Sequence, residues 1–112
     1  YAGISDIKLK EYIVDANSQW SDIKALQVRN YNFKADTGFQ TYTQLGLVAQ
    51  EVELVSPGLV SEFKDTDGEN NDLGTTTKSI NYSVLYMKAV KALQEAMARI
   101  ESLEAKVAAL EG

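Results

Sequence analysis

The sequence predicts an α+β fold. A small mixed domain of short strands and helices fills residues 5–81, and one long C-terminal helix over 82–112 joins a parallel coiled coil. Three observations carry this. Residues 82–111 contain neither Pro nor Gly, and Gly112 is the first helix breaker after them. Upstream, the apolar runs are short and punctuated by Gly, Pro, Asn and Asp, as short strands and helices require. The 112 residues suit one domain, and no internal repeat divides them.

In chain order, Tyr1 to Ile4 reads as a lead-in, the end of an upstream segment. Ile7, Leu9 and Tyr12 suggest an extended stretch beginning at Ser5. Asp15 to Ala25 reads as a short helix carrying Trp20 and Ile23 on one face, capped by Asp15 or Asn17. Leu26 to Phe33 alternates as a strand whose parity changes near Arg29-Asn30, which predicts a bulge there. Asp36-Thr37-Gly38 turns the chain within the polar stretch Ala35 to Thr43. Leu45, Leu47 and Val48 predict a short buried strand around Gly46, followed by a helix from Ala49 to Val55 that Pro57-Gly58 ends. Leu59 to Phe63 is expected as a strand, Lys64 to Thr77 as a loop, and Ser79 to Asn81 as a further short strand. Asn81 or Ser83 is the expected cap of the last helix.

That helix holds one heptad register throughout. Tyr86, Leu93, Ile100 and Val107 occupy a, and Ala89, Ala96, Leu103 and Leu110 occupy d. In the first half Val90 and Met97 at e widen the apolar face, which suits packing on the globular body. In the second half Glu104 and Glu111 stand at e, and the face narrows to a strict seam suited to another helix. The expected seam is Leu93, Ala96, Ile100, Leu103, Val107 and Leu110. Arg99 and Lys106 at g each precede a Glu at e by five residues, the spacing that pairs charges across parallel chains. The alternative is an amphipathic helix packed only on its own domain.

Composition excludes several classes of function. The net charge is -5 and no Lys/Arg run exists, which argues against nucleic acid or an anionic membrane as main partner. No apolar run approaches the ~18 residues of a membrane span, and no signal peptide opens the chain. Without Cys there are no disulfides or thiolate metal sites, and without His there is no Ser-His-Asp chemistry and no imidazole ligand for zinc. No cofactor motif and no metal site is expected. A nucleophile in this chain must be Ser or Thr, and its base must be Lys or a carboxylate. The acidic stretch from Asp65 to Asp72 looks like part of a calcium loop, but Asn70 and Thr76 stand where such a loop needs Gly and Glu. A solvated hairpin tip is the expectation there.

Four segments in order resemble one family. They are Ser5-Asp6-Ile7-Lys8-Leu9-Lys10-Glu11, then Leu26 to Phe33 with Tyr31 and Phe33, then Leu45-Gly46-Leu47-Val48-Ala49-Gln50-Glu51-Val52-Glu53 with Pro57-Gly58-Leu59-Val60, then Lys78-Ser79-Ile80-Asn81-Tyr82-Ser83 before a long helix. Together they resemble the C-terminal intramolecular chaperone domains of phage tail spikes and tail fibres, the peptidase S74 family typified by endosialidases. Lys8 and Asn81 depart from the Arg and Asp common in that family.

The resemblance implies a homotrimer that holds three chains in register while an upstream fibre folds, then cuts itself off. Carried over, Ser5 is the nucleophile, Lys10 its base, and Ile4-Ser5 the scissile bond. It implies action in the infected bacterial cytoplasm during virion assembly, with the upstream product in the tail and the chaperone domain shed. Local chemistry agrees. A Lys serves as base when burial or a neighbouring cation lowers its affinity for a proton, and on an extended segment Lys8 and Lys10 share a face. The task also suits the architecture. A fibre of non-local contacts folds slowly, and a coiled coil raises the local chain concentration to about the millimolar range. Cutting afterwards leaves the product kinetically trapped. The seam itself is ambiguous: β-branched residues at a with Leu at d favour two strands, while the resemblance implies three. Alternatives are a non-enzymatic oligomerisation module and a calcium-dependent adhesion module.

Overall fold

The computed structural model describes residues 3–112; of the lead-in, Tyr1 and Ala2 lie outside the described residues. The chain runs through a 3-10 turn at Ile7–Leu9, helix α1 (Trp20–Ala25), strand β1 (Arg29–Tyr31), a 3-10 turn at Ala35–Thr37 and strand β2 (Gln44–Gly46). Helix α2 (Ala49–Val55), a 3-10 turn at Pro57–Leu59, strands β3 (Val60–Thr66) and β4 (Asp72–Ile80) and the long helix α3 (Tyr82–Glu111) complete it. Two antiparallel two-stranded sheets result, β1 with β2 and β3 with β4. The mixed class and the terminal helix are as the sequence predicts.

Several local expectations are overturned. The segment after Ser5 is not extended, because Asp6 caps a tight turn: its carboxylate accepts from the Lys8 N–H at 3.0 Å. Helix α1 begins at Trp20 rather than near Asp15, and neither Asp15 nor Asn17 caps it; Gln19 stands at the cap without using its side chain. The strand predicted over Leu26 to Phe33 shrinks to β1, and its pairing with β2 is continuous (Arg29 to Gly46, Asn30 to Leu45, Tyr31 to Gln44), with no bulge. The β2 strand is not buried, since Leu45 is 74% exposed. Most of the predicted loop Lys64 to Thr77 is ladder: β3 and β4 form one long hairpin whose connection is residues 67–71. The part of the hairpin beyond Phe63 escapes a search for apolar alternation because both its faces are mostly polar there. Thr75 and Thr77 donate to Asp65 at 2.7 and 2.6 Å, and Thr76 donates to Glu62. Asn81 does stand at the cap of α3, but its side chain accepts from the Ser61 hydroxyl instead of capping the helix.

The core is small. Val52 and Leu59 are fully buried where α2 and the turn after it meet the hairpin base and α3, and Ala92 is buried where α1 crosses α3. Two clamps hold α2 in place. Arg29 of β1 grips Glu51 through both carboxylate oxygens, at 3.1 and 2.7 Å, and Lys78 of β4 reaches Glu53 at 2.6 Å.

The chain is elongated, 71 × 41 × 26 Å, with a radius of gyration of 20.0 Å, where a compact chain of this length has about 13 Å. Its accessible surface is 9322 Å², against about 6,100 Å² for a compact monomer of its mass. Much of the excess is apolar, on α3 and on the segment from Ile4 to Val14.

Candidate active site

The Ile7–Leu9 turn decides the geometry around Ser5. Five extended residues would carry Lys10 about 16 Å along the chain from Ser5. The turn folds that distance away: Leu9 N–H bonds to the Asp6 carbonyl and Lys10 N–H to that of Ile7, each at 3.1 Å. Lys10 Nζ then donates to Ser5 Oγ at 2.7 Å. Lys8 does not share a face with Lys10 as expected on an extended strand; its ammonium lies 4.0 Å from the Asp6 carboxylate. Asp6 therefore caps the turn, and its carboxylate is also the anion nearest Lys8. The sequence signal for it was an Asp directly before a short apolar run.

Among the described residues, the pair has no walls of its own. Every residue from Gly3 to Ser18 is exposed, Ile4 at 72% and Tyr12 at 88%. Tyr12 also holds a positive φ of 55°, a left-handed conformation that bulky residues rarely adopt without support from outside the segment.

The predicted seam residues lie on one face of α3. Leu93, Ile100, Leu103, Val107 and Leu110 are exposed at 52 to 87%, and Ala96 is half-buried. The globular body does not pack on the e side, as the width of the apolar face suggested: Val90 and Met97 remain 44% and 52% exposed. It packs through Leu85, Lys88, Ala92 and Glu95, on the g and c side, where α1 lies. Glu95 is the functional residue that sequence reasoning missed. Its carboxylate accepts from Gln19 N–H at 2.7 Å and from the Ser18 hydroxyl at 2.5 Å, so it caps α1 from 76 residues away. These two bonds hold the Glu95 carboxyl below the usual range, against a smaller upward push from burial. Lys88 adds bonds to Gln19 at 2.5 Å and Asp22 at 3.1 Å, and the Arg99 guanidinium sits 3.7 Å over the Trp20 ring.

The acidic hairpin tip is already occupied by its own donors. Asp67 accepts from the Glu69 and Asn71 backbone at 2.8 and 3.0 Å and from the Asn71 side chain at 3.1 Å, which lowers its affinity for protons. Asp65 is lowered in the same direction by Thr77 and Thr75. Among the described residues, no cluster of carboxylates has the arrangement of a metal site, and no helix is long and apolar enough to cross a membrane.

The sequence that builds this turn and body matches a known family. The model of the peptidase S74 family, described as the chaperone of endosialidase, matches residues 5–61. That is half of the chain, and the chain belongs to this family. The match opens at Ser5, contains Lys10, Glu51 and Glu53, and stops early in β3, so most of the hairpin and all of α3 lie beyond it. The chain is also 27% identical over 107 residues to a protein of Escherichia phage Phieco32 described as "Probable tail fiber protein". The alignment covers 94% of this chain and 14% of that relative, so the chain corresponds to a small part of it.

Proposed function

We propose that residues 5–112 form an intramolecular chaperone domain of a phage tail fibre, which assembles three chains and is then released by cutting at Ile4-Ser5. The observation that carries the cleavage is the 2.7 Å bond between Lys10 Nζ and Ser5 Oγ at the first residue of the family match. Family membership and the tail fibre relative support the chaperone role. Assembly is supported by about 3,200 Å² of surface beyond that of a compact monomer. Three chains suit α3 better than two, because Val90 and Met97 widen its apolar face beyond what one neighbouring helix covers.

In this reading a neutral Lys10 amine takes the Ser5 hydroxyl proton as Oγ attacks the Ile4 carbonyl carbon. The Ile4-Ser5 amide bond breaks as the nitrogen takes a proton and leaves as the Ser5 amine. An ester now joins Ile4 to Ser5 Oγ. Water opens that ester, leaving an Ile4 carboxylate and restoring the Ser5 hydroxyl. The amine must first lose its own proton, and burial is what favours that loss. An exposed pair therefore waits for its walls, and those come from the upstream fibre and the neighbouring copies. Cleavage is then held back until assembly is complete. A single turnover suffices, so no substrate pocket is required.

The test is expression with upstream fibre sequence attached, followed by mass measurement. The native chain is expected as two fragments divided at Ile4-Ser5. Ser5→Ala and Lys10→Ala should each leave it whole while keeping the same oligomeric mass. Cutting that persists in Ser5→Ala overturns the mechanism. The exposure of the pair favours a second reading, an oligomerisation module without enzymatic activity, and an uncut native assembly would select it.

A further inference from the structure

The α1–α3 clasp leaves a groove that the chain itself does not fill. Its floor is a run of small residues on α3, Ala89, Ala92 and Ala96, and its walls are Trp20 and Ile23 of α1. It encloses about 320 Å³ and is almost wholly apolar. One heptad position around the helix stand Val90 and Met97, flexible or branched apolar side chains that remain 44% and 52% exposed. Val90 and Met97 lie about 160° and 140° around α3 from Ala92, on the side of the helix away from the α1 crossing.

We infer that the groove is a socket for a second copy of this chain, and that Met97 of one helix seats against Ala92, Trp20 and Ile23 of the next, with Val90 beside it against Leu85. This rests on the parallel, in-register assembly proposed above and adds a contact that a bare coiled coil does not have. In such an assembly a g residue faces the e residue five positions later on its neighbour. The four successive g residues are Leu85, Ala92, Arg99 and Lys106, and the e residues facing them are Val90, Met97, Glu104 and Glu111. The first two rungs set apolar against apolar, and the last two set cation against anion. The small side chain comes at Ala92, where α1 crowds the helix and where the partner residue, Met97, is long and adaptable. A parallel neighbour shifted by one heptad would bring Glu104 towards this apolar hollow, at the cost of stripping water from a charge.

Helix α1 thus becomes the outer wall of the interface. Its position is fixed by Glu95, Lys88 and Arg99 of its own α3, so each copy can receive its neighbour only after folding that clasp. Intrachain folding and assembly are coupled through one short helix.

The chain has no cysteine, so introduced ones report cleanly. Lys24 lines the groove from α1 and is exposed, which makes it a mild site. The double variant Lys24→Cys/Met97→Cys is oxidised in the full chain and run without reductant. A ladder of covalent oligomers is expected, ending at a closed ring of three chains, while each single variant stays at one chain. The variant Leu103→Cys, which places a thiol in the seam far from α1, monitors the coil alone. If Leu103→Cys links chains and the double variant does not, the socket is wrong and the coiled coil stands. If neither links, the socket and the assembly beneath it both fall.

Discussion

Gly46 shows how tightly one residue can be specified. A β-carbon there would lie 2.9 Å from the Tyr31 ring, which crosses the β1–β2 ladder at that point. Gly46→Ala must push the ring or the strand aside, and a loss of about 1–3 kcal/mol is expected, read from denaturant melts. Glu95 is specified by a different kind of pressure, as the distant acceptor that closes the N-terminus of α1. Its folded carboxyl binds protons less readily than in the unfolded chain, where 4.5 is ordinary. Its contribution is therefore complete above pH 4.5 and fades as pH falls through the lower folded value. Glu51, Asp65 and Asp67 shift in the same direction, so the whole chain should lose melting temperature in acid. Glu95→Gln should melt lower than the native chain at neutral pH, and the gap should narrow as pH falls below 4.5. Parallel curves across that range would refute the assigned role. The sequence offered no route to this cap, because the two ends of the contact are 76 residues apart.

Among the elements, α2 and α3 were the most legible. The bounds of α2 and the start of α3 match the predicted ones because local rules set them: Pro57 and Gly58 stop one helix, and an unbroken heptad register without Pro or Gly marks the other. The outer part of the hairpin, beyond Phe63 and before Ser79, was the least legible, because its strands carry Thr, Asp and Lys on both faces and no apolar period to detect. Its tip should bind no calcium of consequence, since Asp65 and Asp67 already accept bonds from the chain. Addition of calcium is expected to leave the melting temperature unchanged, and a rise reversed by chelator would refute this. Beyond Arg99, which meets Trp20, every residue of α3 is exposed. Leu103→Asp should therefore act only through assembly. It should reduce the mass seen by light scattering and lower the helix signal, because an unpartnered terminal stretch of this length is only marginally helical in water.

At the scale of the molecule, the ratio of core to surface decides behaviour. Val52, Leu59 and Ala92 are a thin core for 112 residues, and the uncovered apolar surface is large. Folding and association should be one equilibrium, so the melting temperature should climb steadily with protein concentration. A melting temperature independent of concentration over a hundredfold range would show that the monomer is self-sufficient.

What the residues alone determined is whatever short-range chemistry dictates: the α+β class, the span of the long helix and its heptad, the helix from Ala49 to Val55, and the family to which Ser5-Asp6-Ile7-Lys8-Leu9-Lys10 and the Leu45 to Glu53 segment point. Tertiary structure alone decided which flank of α3 the body occupies, that Glu51 and Glu53 are clamps for β1 and β4, and that Glu95 closes α1. The turn that joins Ser5 to Lys10 lies between these cases. Its cap was present in the sequence, but the apolar spacing of Ile7, Leu9 and Tyr12 fitted an extended strand equally well. A hydrogen bond from one backbone amide to Asp6 separates the two conformations. Periodicity records which side chains avoid water, whereas a bond between distant residues leaves no trace in the order of the letters.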